Sequence, residues 1–188
     1  MKGIRTFIGI FPPPEVQATI SRVQHGLKKE DSAVKWEVEN KFHATVKFLG
    51  DVLPGQLQEL QSALTESSKT LPQFSVKLST VGCFPDRNNP RIVWIGSNSD
   101  ENAPLTECAA AVNELCVSKG FKKNDRAFHP HITLGRTKGK LSNGLIKTIE
   151  NATFEPIQFF CKELLVMKSN LSPSGSAYSR LSTIPLKY

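Results

Sequence analysis

The chain has 188 residues, of which 39% are hydrophobic and 22% charged, and it carries a formal net charge of +7 with a pI near 9.3. A chain of this size can bury a sizeable core, so we expect one globular domain or two small lobes rather than intrinsic disorder. The positive potential favours phosphate-rich partners, although charge alone does not show that one binds. No window approaches the 18 or so apolar residues of a membrane span, and the N-terminus lacks the apolar region of a signal peptide. We therefore expect a soluble cytoplasmic protein.

The first half of the chain predicts strands that alternate with amphipathic helices. The apolar run at 4–11 predicts a strand that stops at three consecutive prolines, and Val16, Ile20, Val23 and Leu27 then form one helical stripe. His25 lies off that stripe and is predicted to be a surface residue. The remaining predicted elements of this half are a short strand at 34–38, a strand from 43 to 49, a helix along 57–64, and a hairpin of strands at 74–81 and 91–95 around a loop at 82–90.

The second half repeats this order. Its predicted elements are a helix along 105–116 capped by Gly120, a strand from 131, a helix along 145–149, apolar segments at 157–161 and 164–167, a turn at 173–176, and a last strand at 177–184. Helices interleaved with hairpins, without regular βαβ alternation, predict an α+β fold with antiparallel sheets. The shared order predicts two similar lobes that face each other across a cleft.

Each half contains one His-x-Thr-x motif on its predicted strand. The motifs are His43-Ala44-Thr45-Val46 and His131-Ile132-Thr133-Leu134. Because side chains alternate along a strand, His and Thr share one face and the apolar residues share the other. Lys47 falls on the His43 face by the same alternation. Two polar faces backed by core predict a pair of histidines that meet across the cleft.

Two histidines are a suitable pair for proton transfer near neutral pH, because one imidazole can accept a proton while the other donates one. The threonine hydroxyls can donate hydrogen bonds to anionic oxygens, as transfer at phosphorus requires. No metal is then needed, and no Asp/Glu cluster for magnesium lies near either motif. A zinc site formed by His43, His129 and His131 is the alternative, but His129 has no counterpart in the first motif and is predicted to lie at the cleft rim or surface.

Two other enzymatic routes have little support in the sequence. The four cysteines form no C-x-x-C pair and lie away from both motifs, so a catalytic cysteine, a zinc site or a disulfide scaffold is not expected. Instead, the cysteines are predicted to be small buried hydrophobic residues. Glycine-rich phosphate loops are absent from the sequence, which disfavours nucleoside triphosphate hydrolysis.

Over nearly its whole length the chain resembles the 2H phosphoesterases, and within them the RNA 2′,3′-cyclic phosphodiesterases, also called 2′-5′ RNA ligases. The segments that carry the resemblance are Arg5-Thr6-Phe7, 43–50, Gly82-Cys83-Phe84-Pro85, Arg91-Ile92-Val93-Trp94, Gly120-Phe121, 130–136, Ser169-Asn170-Leu171 and Tyr178. The resemblance implies a single bilobal domain over 1–188 with one motif strand per lobe. It also implies a metal-free site, without a cofactor, that opens the 2′,3′-cyclic phosphate of an RNA end or nucleotide to a 2′-phosphate.

The resemblance also implies residue roles. His43 is implied as the proton donor to the leaving oxygen and His131 as the proton acceptor from water, whereas the symmetry of the motifs leaves these two roles open. Thr45 and Thr133 are implied to hold the phosphoryl oxygens. Arg136 matches a family arginine suited to phosphate, but strict alternation places it opposite His131 unless the strand bulges at Gly135.

Three further residues are candidates from the sequence itself. Lys47 is a candidate for binding substrate charge, because alternation directs it into the cleft. Phe42 and Phe128 precede the motifs and could stack a base, but buried aromatics are the preferred interpretation.

Two functional alternatives stay open: a non-catalytic module that binds nucleotides or RNA ends, and RNA ligation by the same site. We expect a monomer with no membrane partner.

Overall fold

The computed structural model describes residues 3–28, 33–86, 88–97, 99–172 and 175–188. Within these ranges the helices are α1 Pro14–Lys28, α2 Pro54–Ser68, α3 Ala103–Ser118 and α4 Asn143–Glu150. The strands are β1 Ile4–Ile10, β2 Val34–Trp36, β3 Ala44–Val52, β4 Phe74–Leu78, β5 Thr80–Phe84, β6 Ile92–Gly96, β7 His131–Thr137, β8 Ile157–Cys161, β9 Glu163–Ser172 and β10 Gly175–Pro185. Arg87 of the predicted loop and the predicted turn residues Pro173 and Ser174 lie outside the described residues.

An eight-stranded antiparallel sheet organises the fold. Its order is β10-β9-β1-β3-β7-β6-β5, and β2 pairs with β7 alongside this path. The strands β3 and β7 carry the two motifs and lie next to each other at the centre, where Ala44 pairs with Ile132. We call β10, β9, β1 and β3 the first half-sheet, and β2, β7, β6 and β5 the second half-sheet. The α+β class with antiparallel sheets is confirmed.

The two halves of the chain exchange their hairpins. The β5–β6 hairpin comes from the first half of the sequence but pairs with β7 of the second half. Conversely, the C-terminal β9–β10 hairpin pairs with β1 near the N-terminus. The strands that precede these hairpins, β4 and β8, pair with each other in a separate two-stranded sheet. Each half-sheet therefore contains strands from both halves of the chain.

Apolar stripes on the helices pack against this framework as the sequence predicts. Helix α1 begins at Pro14, a residue suited to the first helical turn, and buries Val16, Ile20 and Leu27. The same face of α1 also buries a polar residue, Gln24, which is 1% exposed. None of the helices in the described ranges is long and apolar enough to cross a membrane.

The predicted strand at 74–81 is wrong, because the chain divides there between two sheets. The strand β4 ends at Leu78, and β5 begins at Thr80 and continues through Gly82 and Cys83 to Phe84, which were predicted to lie in a loop. Ser79 marks the change of partner, since its N–H donates to the carbonyl of Gly96 across 2.7 Å. The loop before β6 is shorter than predicted for this reason.

Candidate active site

The two motif histidines are held by the same backbone arrangement. His43 Nδ1 lies 2.7 Å from the carbonyl oxygen of Lys41, and His131 Nδ1 lies 2.7 Å from the carbonyl oxygen of His129. A carbonyl oxygen can only accept, so each Nδ1 carries the proton and donates it. In both residues Nε2 is therefore the nitrogen left to accept or donate a proton in a reaction.

The central strand pair brings the two motifs together. Because Ala44 pairs with Ile132 in antiparallel register, His43 lies opposite Thr133 and Thr45 lies opposite His131. Ala44 is 3% exposed and Ile132 is fully buried on the core face, so the four polar side chains share the other face. Diagonal neighbours such as the two histidines lie about 7–8 Å apart in a regular ladder, which leaves room for a phosphoryl group between them.

Aromatic rings surround both imidazoles. Three rings have centroids 5.0 to 5.1 Å from that of His43 and belong to Phe7, Phe11 and Tyr178. The centroids of Phe7 and Tyr178 lie 5.2 Å from each other. The rings around His131 have centroids 4.9 to 6.4 Å from it and belong to Phe84, Trp94 and His129. Sequence reasoning missed these contacts, because most of the rings come from β1, β5, β6 and β10. The alternation of side chains along one strand does not show which other strands lie beside it.

Burial lowers the pKa of both histidines below the ordinary value of 6.5. Desolvation is the largest cause for each, because it disfavours the charged imidazolium, and the backbone hydrogen bond to Nδ1 opposes it. The charge of His131 further lowers the pKa of His43, and Arg136 lowers the pKa of both. The two imidazoles and the guanidinium are therefore close enough to interact electrostatically.

Arg136 reaches the histidine face because β7 contains a bulge. Thr133 pairs with Trp94 and Gly135 with Val93, so Leu134 is an extra residue without a partner on β6. Leu134 and Gly135 are both buried, whereas the Arg136 side chain is 57% exposed. Strict alternation, which placed Arg136 opposite His131, fails at this point, and the bulge considered at Gly135 is present.

A matching bulge in β3 directs Lys47 away from the cleft. Thr45 pairs with Gly9 and Lys47 with Ile8, so Val46 is the extra residue and Lys47 turns into the protein. Lys47 is only 1% exposed. Its ammonium donates to Asn113 Oδ1 across 2.7 Å, to the Lys122 carbonyl across 2.6 Å and to Asn124 Oδ1 across 2.8 Å. The placement of Lys47 in the cleft is therefore wrong, and these oxygens occupy its donors.

The same bulge exposes an aromatic residue that sequence reasoning overlooked. Phe48 follows Lys47, is 65% exposed, and has its ring centroid 6.1 Å from that of Phe7. It is the counterpart in β3 of Arg136 in β7, since each follows the two buried residues of its bulge. By contrast, Phe42 is fully buried and Phe128 is partly buried against the core, in agreement with the preferred interpretation of both.

His129 lies within the second aromatic cluster. Its ring is partly buried, with its centroid 4.9 Å from that of Trp94 and 5.2 Å from that of Phe84. The prediction of a rim or surface position is therefore only partly right. Within the described ranges, no three His, Cys, Asp or Glu side chains form a group that could hold a metal ion.

Two neighbouring strands of the sheet carry one His-x-Thr-x motif each: His43 directly precedes β3, and His131 is the first residue of β7. This arrangement defines the class of 2H phosphoesterases. The family described as LigT like Phosphoesterase matches residues 10–94 and again residues 95–178. The chain therefore belongs to the LigT-like phosphoesterase family.

Curated relatives are 27% to 32% identical to this chain over the aligned residues. A protein of Thermotoga maritima named RNA 2′,3′-cyclic phosphodiesterase is 32% identical over 179 residues, which cover 95% of this chain and 93% of that protein. A protein of Aquifex aeolicus with the same name is 31% identical over 185 residues, which cover 95% of each chain.

Solved structures show the same fold. The crystal structure of E. coli LigT complexed with 3′-AMP matches with a TM-score of 0.77 at 23% identity and covers 99% of both chains. A crystal structure described as a phosphoesterase matches with a TM-score of 0.79 at 22% identity and covers 99% of both chains.

Proposed function

We propose that this protein hydrolyses the 2′,3′-cyclic phosphate of RNA ends or nucleotides and leaves a 2′-phosphate. The observation that carries the proposal is the pair of imidazoles on one sheet face, each with Nδ1 held by a backbone carbonyl and Nε2 left for proton transfer. The substrate class is supported by the names of the relatives from Aquifex and Thermotoga, which match this chain over nearly its whole length.

The proposed reaction needs one base, one acid and donors to the phosphoryl oxygens. His131 Nε2 accepts a proton from water as the water oxygen bonds to phosphorus. The bond from phosphorus to the 3′ oxygen breaks, and His43 Nε2 donates its proton to that oxygen. The products are a 2′-phosphate and a 3′-hydroxyl, and the two histidines end with exchanged protonation states. These side chains supply each required proton transfer, so the proposed step requires no metal ion.

The assignment of acid and base follows from the family resemblance. His131 faces the ring of His129, whose positive form disfavours a proton on His131. A neutral His131 is suited to accept a proton. The charge of His131 in turn lowers the pKa of His43, so a positive neighbour disfavours the charged form of both imidazoles and the division of roles rests on the family resemblance.

Binding of the phosphoryl group is assigned to Thr45, Thr133 and Arg136. Each threonine lies opposite the histidine of the other motif, so both hydroxyls border the space between the imidazoles. The guanidinium of Arg136 adds a positive charge at the same face and lowers the pKa of both histidines. A phosphate anion bound there would pair with the guanidinium and oppose this lowering. Phe48 is proposed to stack a nucleobase, because its exposed ring lies beside the His43 cluster.

The site is complete within one chain, since both motifs and Arg136 belong to neighbouring strands of one sheet. We therefore propose that the protein acts as a monomer. Residues 1–188 are proposed to form a single bilobal domain in which the half-sheets are the lobes and each carries one motif strand.

The test is hydrolysis of 2′,3′-cyclic AMP in the presence of excess EDTA, with the product identified by chromatography against 2′-AMP and 3′-AMP. We expect 2′-AMP from the wild-type protein. The variants His43→Ala and His131→Ala are each expected to lose about 10²- to 10⁴-fold in rate, the usual contribution of a general acid or base. His25→Ala is the matched control, because His25 lies on the exposed face of α1.

Full activity in both motif variants would overturn the mechanism. A 3′-AMP product would contradict the proposed bond cleavage. Binding of the nucleotide without turnover would favour the non-catalytic module, and loss of activity in EDTA that zinc or magnesium restores would contradict metal independence.

A further inference from the structure

The bulge that brings Arg136 to the histidine face is fixed at one backbone atom, the carbonyl oxygen of Leu134. This oxygen accepts the N–H of Glu37 across 2.8 Å. It also accepts a second hydrogen bond, from Nε2 of Gln24, across 2.8 Å. The bond from Glu37 continues the β2–β7 pairing by one residue. Gln24 adds a side-chain donor to the same carbonyl, which belongs to the residue without a partner on β6.

Gln24 lies in the core and holds two backbone segments at once. It is 1% exposed on the buried face of α1. Its second amide hydrogen is directed to the carbonyl oxygen of Glu37, 2.8 Å from Nε2. Only the NH₂ of the carboxamide can donate to two carbonyls, so the orientation of the side-chain amide follows from its partners. A buried polar side chain with this bonding joins the bulge of β7 to the segment after β2.

Both of these segments determine where the Arg136 guanidinium lies. Arg136 is two residues beyond Leu134 on β7, and its Nε lies 3.8 Å from Oε1 of Glu37. Gly135 is in close contact with β2, because a Cβ there would lie 2.6 Å from Cγ1 of Val34. The carboxamide of Gln24 thus bonds to two backbone sites. One is on β7, the strand that carries Arg136, and the other is Glu37, whose carboxylate pairs with Arg136.

We propose that Gln24 is a positioning residue that acts through the Leu134 bulge and Glu37 to direct Arg136 toward the phosphate between the two histidines. The proposal rests on the phosphate-binding role proposed for Arg136. It assigns an active-site function to a core residue of α1 that does not contact the substrate.

The test is a double-mutant cycle with 2′,3′-cyclic AMP as substrate and inorganic phosphate as a competitive inhibitor. Gln24→Met keeps the length of the side chain but removes both donors. We expect it to lower kcat/KM by about 10- to 100-fold, because a misplacement of about 1 Å at a binding group can cost this much. We also expect it to weaken inhibition by phosphate, as Arg136→Ala does. In the Arg136→Ala background, Gln24→Met is expected to have little further effect on either quantity.

Ile20→Val is the control for a general effect of a core change, because Ile20 lies one turn earlier on the same buried face of α1. It is expected to lower stability with kcat/KM unchanged. Glu37→Gln is the second variant should Gln24→Met fold poorly, since Glu37 is partly exposed. It is expected to weaken phosphate inhibition in the wild-type background and not in Arg136→Ala.

The outcomes separate this inference from the proposed function. If Arg136→Ala leaves kcat/KM and phosphate inhibition unchanged, the phosphate role of Arg136 itself is wrong. Suppose that Arg136→Ala lowers kcat/KM and weakens phosphate inhibition, but Gln24→Met and Glu37→Gln do neither: Gln24 then does not act through Arg136. The same conclusion holds if Gln24→Met and Glu37→Gln have their full effects in the Arg136→Ala background.

Discussion

Each motif imidazole is desolvated, and the group bonded to its Nδ1 is a backbone carbonyl rather than a carboxylate. A carbonyl fixes the tautomer as well as a carboxylate does, but it stabilises the imidazolium less. Both histidines therefore favour the neutral form in the free protein, and their pKa values lie below 6.5. A phosphate anion bound between the imidazoles would stabilise the charged form of His43 and so raise its pKa. Substrate binding and protonation of His43 are expected to be coupled for this reason.

The pH dependence of kcat/KM reports the free protein, so a bell-shaped profile with its maximum below pH 6.5 is expected. Removing a positive charge near the histidines favours their charged forms and raises their pKa values. Arg136→Gln is therefore expected to move both limbs of the profile to higher pH and to lower kcat/KM. The measurement is kcat/KM for 2′,3′-cyclic AMP from acidic to mildly alkaline pH. Limbs that stay in place would mean that Arg136 does not interact with the histidines.

Lys47 illustrates how a cation near the site can be structural. Its ammonium donates to three oxygens of α3 and the segment that leads to the second motif. Lys47→Met removes three hydrogen bonds made by a buried ammonium, so the free energy of unfolding is expected to fall by about 1.5–3 kcal/mol, the usual range for hydrogen bonds to a charged group. The KM for 2′,3′-cyclic AMP is expected to stay close to the wild-type value. Both quantities are obtained from urea unfolding and steady-state kinetics of the same preparation.

Lys69→Met is the matched control, because the Lys69 side chain is 65% exposed and forms a surface ion pair with Glu66. Its stability is expected to change by no more than about 0.5 kcal/mol. A Lys47→Met protein with unchanged stability and a raised KM would restore the interpretation that Lys47 binds substrate.

Among the elements, the two bulges decide which side chains lie on the same sheet face as the two histidines. Gly135 lies at the bulge of β7, and a Cβ added there would lie 2.6 Å from Cγ1 of Val34 and 3.2 Å from the Lys35 carbonyl oxygen. Gly135→Ala is therefore expected to force β2 and β7 apart and to cost about 1–3 kcal/mol in unfolding free energy, with a loss of kcat/KM as Arg136 shifts. Gly139→Ala is the control on the same side of the fold, because a Cβ at Gly139 would have no neighbour within 4 Å among the described residues.

The measurements are urea unfolding and kcat/KM for both glycine variants. A Gly135→Ala protein as stable and active as the Gly139→Ala control would show that β2 and β7 can separate without disturbing the site.

Local sequence patterns predicted the elements and pointed to Gly135 as a place for a bulge, but they did not predict the bulge in β3. The helical stripe of α1 and the alternation of His43 with Ala44 and Thr45 are properties of neighbouring residues, so they could be read from the sequence. A bulge depends on the register of two strands distant in sequence, as between Trp94 and Thr133. For this reason the sequence placed the histidines and threonines on one face correctly but placed Lys47 on the wrong face and left Arg136 undecided.

At the scale of the whole molecule, the exchange of hairpins lay beyond sequence reasoning. The repeated order of elements predicted two similar lobes, but it carried no information about which strands each hairpin pairs with. Apolar residues of β5 and β9 show that these strands are buried, but they do not show which strand they pair with. The pairing of β4 with β8 follows from the same exchange, because the chain crosses between the half-sheets directly after each of these strands.

The exchange predicts that the two half-sheets unfold together. Each half-sheet contains strands from both halves of the chain, and α1, which follows β1, is bonded through Gln24 to β7 of the second half-sheet. Both tryptophans, Trp36 in β2 and Trp94 in β6, lie in the second half-sheet, so tryptophan fluorescence reports that part of the molecule. A destabilising change in the first half-sheet is therefore expected to shift the fluorescence transition as well.

Leu164→Ala is the suitable variant, because Leu164 is fully buried in β9 of the first half-sheet. A Leu-to-Ala change in a core costs about 2–5 kcal/mol. In urea, the midpoints measured by tryptophan fluorescence and by far-UV circular dichroism are expected to fall together by the same amount, as in a two-state transition. A fluorescence midpoint that stays at the wild-type value while the circular dichroism signal splits into two transitions would show that the half-sheets unfold independently. The coincidence of the two probes thus tests whether the exchanged hairpins make one cooperative unit of both motif strands, on which a site built from His43 and His131 depends.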